Sequence, residues 1–218
     1  MHPPVPLDES TPLIVGSDAL KGNTIYIYVV ACLSAIGGFL FGYDTGIISG
    51  AIIFLRDVFD LNEWWQEAVV SSTLLAAWIF SILSGKANDI FGRKPVILLS
   101  SLVFVLGSLL LAFAWDKLIL LIGRLVVGAG VGLASMTVPM YIAEVAPSSI
   151  RGKLVMINMC CITGGQFIAS IVAYWFSLMN DGNEWRYMLG VAAIPAALQF
   201  FAFLAMPESP RWLITKRK

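Results

Sequence analysis

Six long runs of apolar residues, separated by short polar segments, dominate the pattern of this chain. They cover approximately residues 25–53, 67–84, 95–114, 118–143, 154–178 and 186–206. Each run is near the roughly 20 residues that a helix needs to cross a hydrocarbon core about 30 Å thick. Because every backbone polar group must be paired inside lipid, we expect each run to form a helix. The pattern therefore predicts an all-α protein of the lipid bilayer with six transmembrane helices.

Polar segments at the two ends predict the limits of this bundle. Residues 1–24 are rich in proline and polar residues and lack the basic region and cleavage site of a signal peptide. We interpret them as a disordered cytosolic tail. The bundle then covers residues 25–206, and residues 207–218 begin a cytosolic loop. Within the tail, an acidic dileucine pattern predicts sorting adaptors as partners, through Glu9, Leu13 and Ile14.

The distribution of basic residues predicts the orientation of the helices. With a cytosolic N-terminus, ten of the 14 Lys and Arg residues lie in cytosolic segments, three lie in outer segments and one lies inside a helix. Lys and Arg are enriched on the cytosolic side of membrane proteins. We therefore expect both termini to be cytosolic. The plasma membrane is the principal expected location, with endosomal or lysosomal membranes as the alternative.

Composition excludes several functional classes. Of 218 residues, 58% are hydrophobic and 13% are charged, and the formal net charge is zero, so nothing indicates nucleic acid as a partner. The single histidine, His2, lies in the tail, which argues against His-based metal sites and Ser/His/Asp triads. We expect no enzyme activity, no metal and no cofactor. Cys32, Cys160 and Cys161 lie in apolar runs, and we interpret them as buried free thiols.

Two ionisable residues lie inside predicted helices. Asp44 is in the first run, within the stretch GFLFGYDTGIISG, and Arg124 is in the fourth. Charges inside a membrane are costly and indicate a functional site. Their helices take the same place in each half of a three-plus-three arrangement, which is typical of the inverted repeats of secondary transporters.

The chemistry of Asp44 suggests proton binding. A carboxyl group desolvated by the membrane tends to keep its proton, whereas a nearby cation favours its release. An acid whose distance from Arg124 changes with conformation can therefore load and unload a proton. Two alternatives stay open: Asp44 caps a helix that GYDTG loosens, or it forms a static ion pair that only positions Arg124.

Glycines at a spacing of four follow one face of the first predicted helix. Such stripes let another helix approach closely. Pro139 lies near the inner end of the fourth run, where we expect it to interrupt the helix. The glycines of the first run are Gly38, Gly42, Gly46 and Gly50, and Gly128 and Gly132 lie in the fourth.

Four motifs carry a resemblance to a known family. The longest is GRLVVGAGVGLASMTVPMYIAEVAPSSIRG, residues 123–152, in which glycines precede Tyr141, Glu144, Pro147 and Arg151. The others are GGFLFGYDTGIISGA in the first run, GKANDIFGRKP after the second and PESPRWL after the sixth. Together they resemble the sugar porter family of the major facilitator superfamily. The resemblance implies the N-terminal six-helix bundle of that fold, a three-plus-three inverted repeat, with a second bundle to follow.

The resemblance also implies a network of charges at the cytosolic helix ends, called here the charge latch. Opposite charges can join helix ends in one conformation and separate in another. In the family, such a network holds the outward-open state. Ile90 departs from the family pattern, which has a basic residue at this position. The latch residues are Gly85, Asp89, Gly92, Arg93, Glu144, Arg151, Glu208 and Arg211.

Substrate recognition requires polar side chains that face a central cavity. Gln166 in the fifth run is the best candidate, because an amide can bridge adjacent hydroxyls of a polyol. The family has a sugar-contacting glutamine there, and Phe41 matches an aromatic residue of its cavity. Met159 stands where many hexose transporters have a second glutamine. This loss argues for a ligand other than a typical hexose.

Within the family, segments such as LVMINMCCITGGQF resemble the inositol transporters. That resemblance implies the N-terminal half of a polyol or sugar transporter, with myo-inositol as substrate and the proton as coupling ion. Asp44 and Arg124 would then carry proton coupling. Two alternatives remain: a facilitative hexose or polyol carrier without coupling, and a truncated membrane fragment that does not transport.

Overall fold

The part of the chain that the structure describes contains six membrane-spanning segments followed by one short helix. The computed structural model describes residues 24–179 and 181–216, so almost all of the predicted tail, with its dileucine pattern, lies outside the described residues. All six spans are long and apolar enough to cross a membrane, which confirms the predicted all-α membrane fold. The helices are α1 Thr24–Phe59, α2 Glu63–Phe91, α3 Arg93–Ala112, α4 Lys117–Val145, α5 Arg151–Ser177, α6 Glu184–Gly190, α7 Ala193–Ala205 and α8 Pro210–Lys216.

Pro139 and Pro195 both lie within membrane spans, and only Pro195 interrupts the helix of its span. The expected interruption at Pro139 is wrong, because α4 continues through this residue. Proline removes only one backbone hydrogen bond, and closely packed transmembrane helices tolerate that loss. α4 ends instead before Pro147, which favours the extended conformation observed at Ala146. In the sixth span, Pro195 has no N–H for the carbonyl four residues earlier, so a turn separates α6 from α7.

The packing of the helices follows an inverted repeat of α1–α3 and α4–α7. α1 packs mainly against α5 and α4 mainly against α2, so the first helix of each half contacts the second helix of the other. The third helix of the first half, α3, packs on α4, the first helix of the second half. In the same way, the third span of the second half, formed by α6 and α7, packs on α1. Each major contact of one half thus has a counterpart in the other. α1 and α4 are the most enclosed spans, because 61% and 56% of their apolar stretches are buried inside the bundle. These two helices therefore form its centre.

Glycines allow the closest approaches in both halves. A methyl group at Gly42 on α1 would overlap the backbone carbonyl oxygen of Ile162 on α5. In the other half, a methyl group at Gly132 on α4 would lie 2.5 Å from the carbonyl oxygen of Ala77 on α2. Close packing, rather than the hydrophobic effect, joins helices in lipid. The glycine stripes therefore hold α1 to α5 and α4 to α2.

The three cysteines are free, but the prediction that they are buried is wrong. Cys32 and Cys160 are exposed on the helix surfaces, and Cys161 is partly exposed. Positions that face lipid are as apolar as positions that face the bundle. An apolar run therefore does not distinguish the two environments.

Candidate functional site

An ion pair between α1 and α4 lies at the centre of the bundle. Nη1 of Arg124 donates to Oδ1 of Asp44 over 2.7 Å, and the two side chains are 2% and 6% exposed. Nε of Arg124 donates to the backbone carbonyl of Val69 on α2 over 3.4 Å. α1 is continuous through Asp44, so this residue does not cap a helix. The two charged residues inside predicted helices are thus in direct contact.

A cavity of about 100 Å³ adjoins the ion pair. It lies between α1, α2 and α4, and its polar lining residues are Asp44, Thr45, Thr73 and Arg124. About 10 to 15 Å³ of such space accommodates one water molecule. The cavity is therefore large enough for several water molecules beside the carboxylate.

Gln166 on α5 lies against the same part of α1. Its Nε2 donates to Oγ1 of Thr45, the residue after Asp44, over 3.2 Å, and the side chain is otherwise exposed. Phe41, one turn before Thr45, lines both the cavity at Asp44 and a second cavity of about 310 Å³. Met159 lines the second cavity as well. The structure thus brings Gln166, Phe41 and Asp44 to one region of the bundle.

Three charged residues of the predicted charge latch meet at one end of the bundle. Nη2 of Arg93 donates to Oε1 of Glu144 over 2.9 Å, and these side chains are 12% and 10% exposed. Oε1 of Glu208 accepts from the backbone N–H groups of Arg93 and Lys94 over 2.9 and 3.1 Å. These are the first N–H groups of α3, and a helix start favours a negative charge. The contacts join α3, α4 and the segment after α7.

Residues that the sequence analysis did not assign complete this network. Oγ of Ser209 donates to Oε2 of Glu144. The hydroxyl of Tyr141 donates to a backbone carbonyl in the segment after α7 over 2.9 Å. Nε1 of Trp212 donates to the backbone carbonyl of Asp89 over 3.2 Å. The motif PESPRWL contained the signal, since its serine and tryptophan both bind the helix ends.

The structure does not bring every predicted latch residue into this network. Arg151 and Arg211 form no ion pair with any residue that the structure describes. Asp89 is 4.0 Å from Arg93 and its side chain is 79% exposed, and ion pairs that open to water contribute little. Gly85 has α4 as its nearest neighbour. Gly92, by contrast, adopts a φ of 97° at the start of α3, where a methyl group would lie 2.5 Å from the Glu208 carboxylate.

Two groups of buried polar residues were missed by the sequence analysis. Ser84, Asn88 and Thr137 form hydrogen bonds with one another between α2 and α4, at 2.9 to 3.3 Å. Asn158 on α5 and Gln199 on α7 are also buried, and each has one amide atom without a partner among the described residues. The sequence feature that could have identified them is a polar residue within an apolar run, because such a residue is costly in lipid unless it is paired.

The chemical groups at the site are a carboxylate, a guanidinium, an amide and hydroxyls around two cavities. Such groups bind protons and hydroxylated ligands. Among the residues that the structure describes, no group of three or more His, Cys, Asp and Glu side chains could hold a metal ion.

Comparison with known proteins identifies the family. The family model "Sugar (and other) transporter" matches residues 30–218. The chain belongs to the sugar transporter family. This membership confirms the resemblance that the four motifs predicted.

Relatives within the sugar transporter family include inositol transporters. The chain is 58% identical to the human "Proton myo-inositol cotransporter" over 88% of its own length and 29% of that protein. It is 46% identical to "Probable inositol transporter 2" of Arabidopsis thaliana, over 91% of this chain and 34% of that one. A "D-xylose transporter" of Levilactobacillus brevis is 44% identical, over 89% and 41%. The chain thus spans about a third of the length of the curated relatives that it matches.

Solved structures of the family share the fold. The proton:xylose symporter XylE, a major facilitator superfamily protein bound to 6-bromo-6-deoxy-D-glucose, aligns with a TM-score of 0.83 at 34% identity. The alignment covers 88% of this chain and 47% of that protein. The inward-open conformation of XylE from E. coli aligns with a TM-score of 0.81. The predicted six-helix bundle of the major facilitator fold is confirmed.

Proposed function

We propose that this chain forms the N-terminal bundle of a proton-coupled symporter for a polyol or sugar, with myo-inositol as substrate. The observation that carries the proposal is the enclosed ion pair of Asp44 and Arg124 beside a cavity at the centre of the bundle. An ionisable residue inside the membrane is costly and indicates a functional site, and a carboxylate is a group that can bind and release a proton. The proposal includes no enzyme activity and no cofactor other than the proton.

Proton coupling follows from the contact between the two side chains. With Asp44 ionised, Arg124 joins α1 to α4 through a charge-assisted hydrogen bond of 2.7 Å. When a proton neutralises the carboxyl group, this attraction weakens and the packing of α1 on α4 can change. Binding of a proton therefore favours one conformation of the bundle over another. The same linkage lets the conformation control when the proton leaves.

Substrate binding is assigned to the face that carries Gln166 and Phe41. The exposed amide of Gln166 already binds the hydroxyl of Thr45 over 3.2 Å, so it has the chemistry to bind hydroxyls of a polyol. Phe41 supplies an apolar surface for the ring of such a ligand. Myo-inositol is proposed as the substrate because the chain is similar to inositol transporters and has Met159 in place of a second glutamine.

The charge latch is assigned to the conformational change. The Arg93–Glu144 pair and the Glu208 carboxylate at the start of α3 hold three segments together in this conformation. We infer that they separate when the bundle changes conformation. Arg151 and Arg211, which have no ion-pair partner among the described residues, enter the latch in a different conformation.

Both termini are proposed to lie in the cytosol, with residues 1–24 as a tail that sorting adaptors bind. The plasma membrane is the proposed location, and the endosomal or lysosomal membrane is the alternative. Accessibility labelling tests the orientation in a cysteine-free background. An impermeant external reagent should modify cysteine in Lys117→Cys and should not modify it in Lys94→Cys. The opposite pattern would contradict the proposed orientation.

Transport is best tested in a chimera that joins Lys218 to the second bundle of the human relative. In proteoliposomes, an inward proton gradient should drive accumulation of labelled myo-inositol above its equilibrium level. Uptake that only equilibrates, with or without the gradient, would identify a facilitative carrier. Preferential accumulation of a hexose would retain coupling and correct the substrate.

The isolated chain, residues 1–218, should insert into membranes but should not accumulate myo-inositol. The face with Gln166 then has no second bundle with which to alternate between inward-open and outward-open conformations.

A further inference from the structure

Thr73 on α2 has a buried hydroxyl without a hydrogen-bond partner. The residue is 3% exposed, and its Oγ1 bonds to no atom of the described residues. Every other threonine whose side chain the structure describes donates to a carbonyl of its own helix. These are Thr45, Thr137, Thr163 and Thr215. Because an unpaired hydroxyl is costly to bury, this exception makes Thr73 a candidate for binding a polar molecule.

The carbonyl that Thr73 would ordinarily use is already occupied. A helical threonine commonly bonds to the carbonyl four residues earlier, which here belongs to Val69. That oxygen accepts from Nε of Arg124 over 3.4 Å and from Oγ of Ser72 over 3.0 Å. A carbonyl oxygen has two lone pairs. The Val69 carbonyl is therefore not open to the hydroxyl of Thr73, and this hydroxyl bonds to no other described carbonyl of its helix.

Thr73 and Asp44 both line the cavity beside the ion pair. Among the described residues, Asp44 and Arg124 are the only charged ones in the lining of this cavity, which comes from α1, α2 and α4. Asp44 uses Oδ1 for Arg124, and no described residue donates to its Oδ2. A methyl group at Gly128, one turn after Arg124, would lie 2.9 Å from the Cα of Thr73. This close contact fixes Thr73 relative to the ion pair.

We propose that Thr73 holds a water molecule against Oδ2 of Asp44 and that this water delivers the coupling proton. The cavity of about 100 Å³ has room for such a water and for others behind it. The excess proton comes from the aqueous phase as a hydrated proton at the far end of the waters. As the new Oδ2–H bond forms, an O–H bond of the bridging water breaks, and this water regains a proton from its neighbour, so that every water ends neutral and Asp44 carries the added proton. The hydroxyl of Thr73 orients the water and is not changed. Thr73 is thus a positioning residue, and its role rests on the proposed proton binding by Asp44.

The test measures protonation of Asp44 in the full chain, reconstituted in lipid nanodiscs, by time-resolved infrared spectroscopy. A drop in pH should produce a carboxylic acid C=O band that is absent in Asp44→Asn. Thr73→Val keeps the shape of the side chain without the hydroxyl, and we expect the band to appear about tenfold more slowly, the scale of one lost hydrogen bond. Thr73→Ser should restore the parent rate. Thr163→Val, on the exposed surface of α5, is the matched control and should also keep the parent rate.

The outcomes distinguish the proposed role of Thr73 from the proposed proton binding by Asp44. A parent rate in Thr73→Val, or a slow rate in Thr73→Ser, would overturn the role of Thr73 and leave proton binding by Asp44 intact. Absence of any band that depends on Asp44 would overturn both. If Thr73→Val loses its helical circular dichroism, Thr73→Ala provides the second variant without a hydroxyl, with the same expected slowing.

Discussion

Replacing Arg124 with glutamine removes the cation from a carboxylate that is almost fully enclosed. Nη1 and Oδ1 are 2.7 Å apart, and the two side chains are 2% and 6% exposed. Breaking such a pair by removing one partner costs about 3 to 5 kcal/mol, because the other charge stays buried. The cavity beside Asp44 gives the carboxylate access to water, so we expect about 3 kcal/mol for Arg124→Gln. Asp44→Asn leaves the guanidinium enclosed and should cost a similar amount.

A double-mutant cycle isolates the contact itself. The double variant Asp44→Asn/Arg124→Gln replaces two charges with two amides, so it should cost much less than the sum of the single variants. We expect a coupling energy of about 2 to 3 kcal/mol, near the upper end for residues in contact. The measurement is the free energy of unfolding in mixed micelles. The exposed pair Arg56 and Asp57, 57% and 72% exposed at 3.3 Å, is the control and should give less than about 1 kcal/mol. Additive effects at Asp44 and Arg124 would refute an enclosed pair.

Three further predictions concern packing, the charge latch and the substrate. Gly42→Ala should lower the free energy of unfolding by about 1 to 3 kcal/mol through overpacking. Gly164→Ala, with no atom within 4 Å of the added methyl group, should not lower it, and equal effects would contradict the close contact of α1 with α5. Glu144→Gln should cost about 1.5 to 3 kcal/mol by weakening charged hydrogen bonds, whereas the exposed Asp89→Asn should change stability by less than about 0.5 kcal/mol. Gln166→Ala in the chimera should raise the apparent KM for myo-inositol by about 5- to 150-fold, equivalent to roughly 1 to 3 kcal/mol. Unchanged kinetics at normal expression would assign Gln166 to packing.

The fold was largely predictable because lipid imposes simple rules on the sequence. Long apolar runs and the cost of unpaired backbone groups define six helices without any tertiary information. Local exceptions were not predictable in the same way. Pro139 and Pro195 have the same chemistry, yet α4 continues through the first while a turn precedes the second. Which proline breaks a helix depends on tertiary packing around it.

The candidate site was predictable where a residue type is rare in its setting. A carboxylate and a guanidinium within apolar runs indicated Asp44 and Arg124, and the structure places them in contact. Thr73 was missed because threonine is common in transmembrane helices and usually bonds to its own helix. The unpaired state of its hydroxyl depends on the Val69 carbonyl, which accepts a hydrogen bond from Arg124 on α4. Ser209 was missed for a related reason, since its partner Glu144 lies on α4, distant in sequence.

Asp44 is proposed to be the residue that binds the coupling proton. The most direct measurement is proton uptake with myo-inositol entry in proteoliposomes that contain the chimera, recorded with an internal pH dye. We predict that Asp44→Asn abolishes substrate-induced proton uptake and accumulation, while exchange of labelled for unlabelled myo-inositol continues. Proton uptake of parent magnitude in Asp44→Asn would contradict the claim and assign the carboxylate to a structural ion pair.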